Sequence, residues 1–184
     1  MIEFIPLGEI MQALTFWKTI TMDRSNLLEE FFALLKEHEI RFCVIGGQAV
    51  NAYAEPLVGL DLDLVVAVDQ LEKIESLLGA HFDIKRSLHH MNITMPESDL
   101  GIQIQTDERY NSFVESSVEK SNLGLSLPVA SVEDVFQGKI WAALDPDRRG
   151  SKRQKDLADI ARIIENYPEL RPRVPPELTS RLFG

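Results

Sequence analysis

The feature that most constrains this chain is a pair of glycines ending one short apolar run, with two alternating aspartates on the next. Phe42 to Ile45 reads as a buried strand, and Gly46-Gly47 ends it. Gln48 to Tyr53 has the composition of a short helix, and Glu55-Pro56 marks a turn. Leu60 to Val66 then reads as a second strand. Residues two apart on a strand share a face, so Asp61 and Asp63 project together while Leu60, Leu62 and Leu64 turn to the core. Neighbouring carboxylates repel unless a cation lies between them. Hard oxygen donors of this kind suit Mg²⁺, which also binds phosphate oxygens. The glycines give a backbone able to approach a phosphate closely. The plainer alternative is an amphipathic edge strand whose polar face is merely wet.

The flanking sequence supplies the rest of a mixed α/β fold. Leu27, Leu28, Phe31, Phe32, Leu34 and Leu35 recur at helical spacing, which predicts a helix over Ser25 to His38. Asp69 with Glu72 predicts a capped helix running to Leu78, ended by Gly79. Phe82 to Ser87, Met91 to Met95 and Gly101 to Gln105 read as strands, and Tyr110 to Lys120 as a further helix. Leu127-Pro128-Val129 reads as an extended link. Ser131 with Asp134 is a capping box for a helix to about Leu144. Ser151 to Tyr167 is the last long helix, and the prolines from Pro168 onward predict a loose tail. Helix–strand alternation followed by consecutive strands predicts a mixed sheet with helices on one side and a helical C-terminal part. Three stretches result: an appendage over 1–21, a core over 22–126, and a C-terminal helical region with a Pro-rich tail over 127–184. The appendage contains a candidate helix, Leu7 to Ile20, expected to pack on its own domain or on a second subunit in a homodimer.

Composition narrows the function classes. A net charge of −10 argues against broad non-specific nucleic-acid binding, although a basic patch over Arg148 to Lys155 remains. No apolar run is long enough to span a membrane, and Glu3, Glu9 and Lys18 make a poor signal peptide of the N-terminus. The single cysteine, Cys43, sits inside the first strand, where packing is the expected role, and a cytoplasmic location follows.

Gly46-Gly47, a helix and Asp61-x-Asp63 on the next strand resemble the core of the nucleotidyltransferase superfamily with the polymerase-beta-like fold. The resemblance is strongest to bacterial proteins related to the AbiEii abortive-infection toxins, over about Leu27 to Tyr167. It implies Asp61 and Asp63 as catalytic metal ligands for Mg²⁺, with NTP as substrate and Gly46, Gly47 and Gln48 beside the nucleotide. Ser131-x-Glu133-Asp134, Lys139 and Lys155-Asp156-x-x-Asp159 are similar to a later motif of the same branch. That match implies Lys139 and Asp156 at the catalytic site, with Lys139, Lys152 and Lys155 offered to phosphate oxygens. A solvated ladder pairing Lys152 with Asp156 and Lys155 with Asp159 competes with this assignment.

One departure stands out. The family's third carboxylate comes from a strand beside Asp-x-Asp, and here that strand is Ile102-Gln103-Ile104-Gln105. Gln103 falls in the carboxylate position as a candidate metal ligand, yet an amide offers only a neutral oxygen and no base. Asp107 keeps the parity of Gln103 but lies four residues on, where a turn role competes. His89-His90 reads as loop and Trp141 as core. Two functions therefore compete: Mg²⁺-dependent transfer of a nucleoside monophosphate to RNA, tRNA or protein in a toxin–antitoxin or phage-defence setting, with a cognate antitoxin as partner; or a catalytically weak or inactive NTP-binding or partner-binding module. Gln103 favours the second.

Overall fold

The computed structural model describes residues 15–16, 18–23, 26–122 and 124–183. Helix α1 (Leu27–Glu37) leads into β1 (Phe42–Ile45), α2 (Gly46–Asn51) and β2 (Asp61–Val66). A 3₁₀ turn (Val68–Gln70) precedes α3 (Leu71–Gly79), and β3 (Asp83–Arg86), β4 (His90–Thr94) and β5 (Gly101–Gln105) follow. A 3₁₀ segment (Glu108–Val114) connects to the hairpin of β6 (Val118–Asn122) and β7 (Leu125–Val129). Helices α4 (Val132–Leu144) and α5 (Gly150–Asn166), a 3₁₀ segment (Pro168–Arg173) and α6 (Pro176–Phe183) complete the described chain.

Among the described residues seven strands form one mixed sheet in the order β3-β4-β5-β2-β1-β7-β6, so β3 and β6 are its edges. The period-2 pattern of β2 sets its register. Leu62 and Leu64 are fully buried, and an antiparallel pairing with β1 places Ile45 beside Asp63. On its other side β2 runs parallel to β5, with Asp63 beside Gln103 and Val65 beside Gln105. The sheet face carrying Val44 and Leu64 is covered by α1, whose Phe32 ring lies 5.5 Å from that of Phe42. Leu27, Leu28, Phe31 and Leu35 of that helix are fully buried, each contributing about 1.5–3 kcal/mol of transfer free energy. The opposite face, at the β2–β5 end, is bordered by α4 and the Glu108–Val114 segment, and the functional residues gather there.

The start of α1 is held from upstream. Asp23 accepts hydrogen bonds from the backbone N–H groups of Leu27 at 3.1 Å and Leu28 at 3.4 Å, satisfying two donors that the helix leaves open. Thr21 is buried, and its carbonyl accepts the N–H of Asp99 at 2.8 Å. The helix expected over Leu7 to Ile20 lies mostly outside the described residues, as does Ser25, the expected start of the next helix.

Several expectations give way. Tyr110 to Lys120 is not one helix: a 3₁₀ segment ends at Val114, and β6 begins at Val118. Leu127-Pro128-Val129 is part of β7 rather than a link, and it joins β1 through Val129 beside Val44. The tail after Pro168 is ordered, because Leu170 and Leu178 are buried against the core. Asp69 does not cap α3; its carboxylate instead binds the Arg41 guanidinium at 2.6 and 2.7 Å. Leu60 precedes β2 and is 45% exposed, so it escapes the inward face assigned to it.

Candidate functional site

Asp61 and Asp63 leave β2 on one face, at the junction of two clefts. Asp61 is exposed and Asp63 half-buried. The backbone turns sharply above them: Gly46 has φ of +66°, and a Cβ built on it would lie 2.1 Å from Asp63 Oδ2. Only glycine leaves room for the Asp63 carboxylate, which explains the first glycine of the pair. Gly47 carries no such constraint, since a Cβ there meets nothing within 4 Å. Burial raises the pKa of Asp63; Lys139 opposes that shift, and Asp61 reinforces it. Asp63 forms no hydrogen bond or ion pair among the described residues. Across the sheet from it lie Gln103 and then Asn92, so the row of side chains beside Asp63 holds amides where a third acid would stand.

The later motif forms a buried charge network rather than a solvated ladder. Lys139, on α4, lies 3.2 Å from Asp156 Oδ1 and 2.7 Å from Asp159 Oδ2, and both carboxylates are 1% exposed. The contact to Asp159 Oδ2 has ion-pair distance without hydrogen-bond geometry. Arg148 Nε binds Asp156 Oδ2 at 2.8 Å, and Arg162 binds Asp159 Oδ1 at 2.8 Å. Asp156 and Asp159 are i,i+3 neighbours on the inward face of α5, where the apolar stripe of Leu157, Ile160 and Ile163 pulls them from water. Three cations face two carboxylates, and one positive unit is left over beside Asp63. Lys152 is outside this network, with its Nζ 3.6 Å from Asp61 Oδ2.

The larger cleft has a volume of about 340 Å³ and reaches from Gly46, Asp63 and Gln103 to an aromatic wall. Trp141 stacks on Phe113 at 5.9 Å and meets the edge of Tyr110 at 5.3 Å. Trp141 is therefore half cavity wall, not wholly core. His89 and His90 both border this cleft, because His89 lies in the turn ahead of β4 and escapes strand alternation. Asp107 also lines it but is engaged: it caps the following 3₁₀ segment through the N–H of Arg109 and binds that guanidinium at 2.7 Å, which lowers its pKa. The smaller cleft, about 60 Å³, is bordered by Gln48, Asp61, Lys152 and Lys155. Gln48 is buried there and holds the 57–59 loop, donating to Gly59 O at 3.3 Å and accepting from Asn51 at 3.2 Å. Cys43 is buried, and burial pushes its thiol up to about 12, so it packs as a hydrophobe.

The donor set suits a hard divalent cation. Among the described residues no three His, Cys, Asp or Glu side chains converge as a cage. Asp61 and Asp63, with an amide beside them, match an Mg²⁺ that arrives with a nucleotide and keeps phosphate and water oxygens as its other ligands. The Asp63 carboxylate, half-buried and without a partner, is a group that such an ion would satisfy. Sequence reasoning missed Arg162, which also reaches Asn51 Oδ1 at 3.0 Å and the Glu55 carbonyl, tying the Lys139 network to the loop before β2. The i,i+3 spacing of Asp159 and Arg162 was the one local signal for it.

Residues 60–179 match the family model described as nucleotidyl transferase AbiEii toxin, type IV toxin–antitoxin system. No curated protein matches significantly. Among solved structures, the chain is similar to the antibiotic-resistance factor ANT(2'')-Ia in solution, with 13% identity over 83% of this chain and 94% of that one and a TM-score of 0.56. The crystal structure of ANT(2'')-Ia with adenylyl-2''-tobramycin gives 14% identity, coverage of 80% and 96%, and a TM-score of 0.55. At these identities the likeness is one of fold. Among the described residues no helix is long and apolar enough to cross a membrane.

Proposed function

Because the chain belongs to the AbiEii nucleotidyltransferase toxin family, we propose that it moves a nucleoside monophosphate from an NTP to a hydroxyl of RNA, tRNA or protein. The observation that carries this reading is the meeting of Asp61 and Asp63 with the surplus positive charge around Lys139 at the junction of the two clefts. Mg²⁺ held by Asp61 and Asp63 with the nucleotide would neutralise phosphate charge. Lys139 supplies a fixed positive charge, oriented by Asp156 and Asp159, so no side-chain ordering is needed when phosphate arrives. Lys152 and Lys155 present mobile charges to the outer phosphates. Gly46 keeps the space above Asp63 clear. The transfer forms a bond from the acceptor oxygen to the α-phosphorus, breaks the α–β bridge and releases pyrophosphate. The setting is a bacterial cytoplasm with a cognate antitoxin.

A second reading, an NTP-binding module with slow or no transfer, is favoured by Gln103. The hydroxyl proton needs a base, and Gln103 sits beside Asp63 without offering one. Calorimetry with Mg²⁺ and each NTP tests the first reading: Asp61→Asn should abolish binding without unfolding the chain, and equal affinity in both proteins would remove the metal role. Label from α-³²P-NTP separates the two readings. Gln103→Glu gains transfer onto RNA or protein if the missing carboxylate is the defect. Brisk labelling by the unaltered protein, unimproved in the variant, would show that it is not.

A further inference from the structure

Gln105 ends β5 on the same sheet face as Gln103, half-buried in the lining of the larger cleft. Its Oε1 accepts the backbone N–H of Asp107 at 3.1 Å and, at 3.0 Å, that of Thr106, which it shares with the His89 carbonyl at 2.8 Å. An amide nitrogen can accept neither, so the flip of this side chain is decided by its partners: oxygen to the backbone, leaving Nε2 as the free end of a side chain that lines the cleft. Nε2 itself has no partner among the described residues. The cleft thus holds a fixed, unused donor. Gln105 is two residues along β5 from Gln103, roughly 7 Å from the Asp63–Gln103 row at strand spacing. Lys152 and Lys155 lie in the other cleft, beyond Asp61. A nucleotide with its outer phosphates toward these lysines and its α-phosphate at Asp63 carries its base toward Gln105. There Tyr110, Phe113 and Trp141 border the cleft as apolar wall, with the Arg109 guanidinium 5.2 Å over the Trp141 ring, and about 340 Å³ is within the range of small-ligand pockets.

Resting on the nucleotidyltransferase reading, we infer that the larger cleft reads the base of the incoming nucleotide, and that Gln105 Nε2 donates to an exocyclic carbonyl of that base. Adenine alone among the common bases has no such carbonyl. Toward a fixed donor it offers an amino group or a nitrogen set back in the ring. The site therefore discriminates against ATP.

The test is calorimetric titration of the full chain, with Mg²⁺, by ATP and by inosine triphosphate, which differ at the exocyclic group read here. GTP, CTP and UTP follow as controls. Inosine triphosphate should bind about tenfold tighter than ATP, the loss expected when one buried donor is left unpaired. In Gln105→Glu one carboxylate oxygen can still accept from Thr106 and Asp107, while the other becomes an acceptor facing the cleft. All nucleotides weaken from the added charge, but the preference should shift toward ATP, whose amino group is now matched. Equal affinity for ATP and inosine triphosphate in the unaltered protein overturns the inference and leaves the transferase reading standing. So does an unchanged ratio in a folded Gln105→Glu protein. Should that variant fail to fold by thermal melting, the comparison in the unaltered protein decides alone. If no nucleotide binds, the transferase reading falls and the inference with it.

Discussion

Lys139 is the residue whose removal best separates stability from function. It is buried, and its loss would ordinarily be severe, because breaking a buried ion pair costs about 3–5 kcal/mol when a charge is left alone. Here neither carboxylate is left alone. Asp156 keeps Arg148 at 2.8 Å, and Asp159 keeps Arg162 at 2.8 Å. Lys139→Met, close in shape and neutral, converts an unbalanced cluster into two matched pairs. Its cost is the lost charged contact, about 1–3 kcal/mol. Asp159→Asn does the reverse, setting three cations against one carboxylate, and should cost about 3–5 kcal/mol. At roughly 2–4 °C per kcal/mol for a chain of this size, Lys139→Met lowers Tm by a few degrees and Asp159→Asn by about 10 °C or more. Differential scanning calorimetry of both variants without ligand measures this, and titration with Mg²⁺-NTP shows whether Lys139→Met has lost nucleotide affinity. A melting point for Lys139→Met at or below that of Asp159→Asn would refute the charge-balance argument and make the lysine a structural pillar.

Two further outcomes follow from the same site. Asp63→Asn should stabilise the unliganded chain at neutral pH, because burial raises the folded pKa above the ordinary 3.8. For a raised carboxyl the penalty is absent below the unfolded value and grows as pH climbs through the folded one, so the gain over the unaltered protein should vanish in acid melts. A gain that persists at the lowest pH would contradict the burial account. Gly46→Ala should cost about 1–2 kcal/mol from left-handed strain and displace the Asp63 carboxylate, whereas Gly47→Ala, whose Cβ meets nothing within 4 Å, leaves the melting point nearly unchanged in differential scanning calorimetry.

What could be read from the sequence was local. The Asp61–Asp63 pair, the glycine turn and the Ser131 cap are each written within a few residues, and the last is visible as Ser131 Oγ accepting from the Asp134 N–H at 3.2 Å. The β6–β7 hairpin was hidden because Pro128 argues against an interior strand. It is tolerated where β7 meets β1 only at Val129. The orientation of Asp156 and Asp159 was ambiguous because their spacing serves a solvated ladder equally well; α4, packed across α5, decided it by delivering Lys139. Arg162, and the aromatic wall built from Tyr110, Phe113 and Trp141, join segments far apart in the chain, and no periodicity announces such meetings.

The strand order has a bearing on how this protein tolerates its own company. An open sheet offers unpaired backbone at both borders, and a crowded solution of such sheets tends to zip together. Here one border strand carries Asp83, Lys85 and Arg86 and the other Glu119 and Lys120. Extending the sheet by a second copy would press these charges against one another and strip them of water. The charged borders therefore disfavour edge-to-edge pairing of two copies, and the chain should stay dispersed at concentrations where a smooth apolar border would seed fibres.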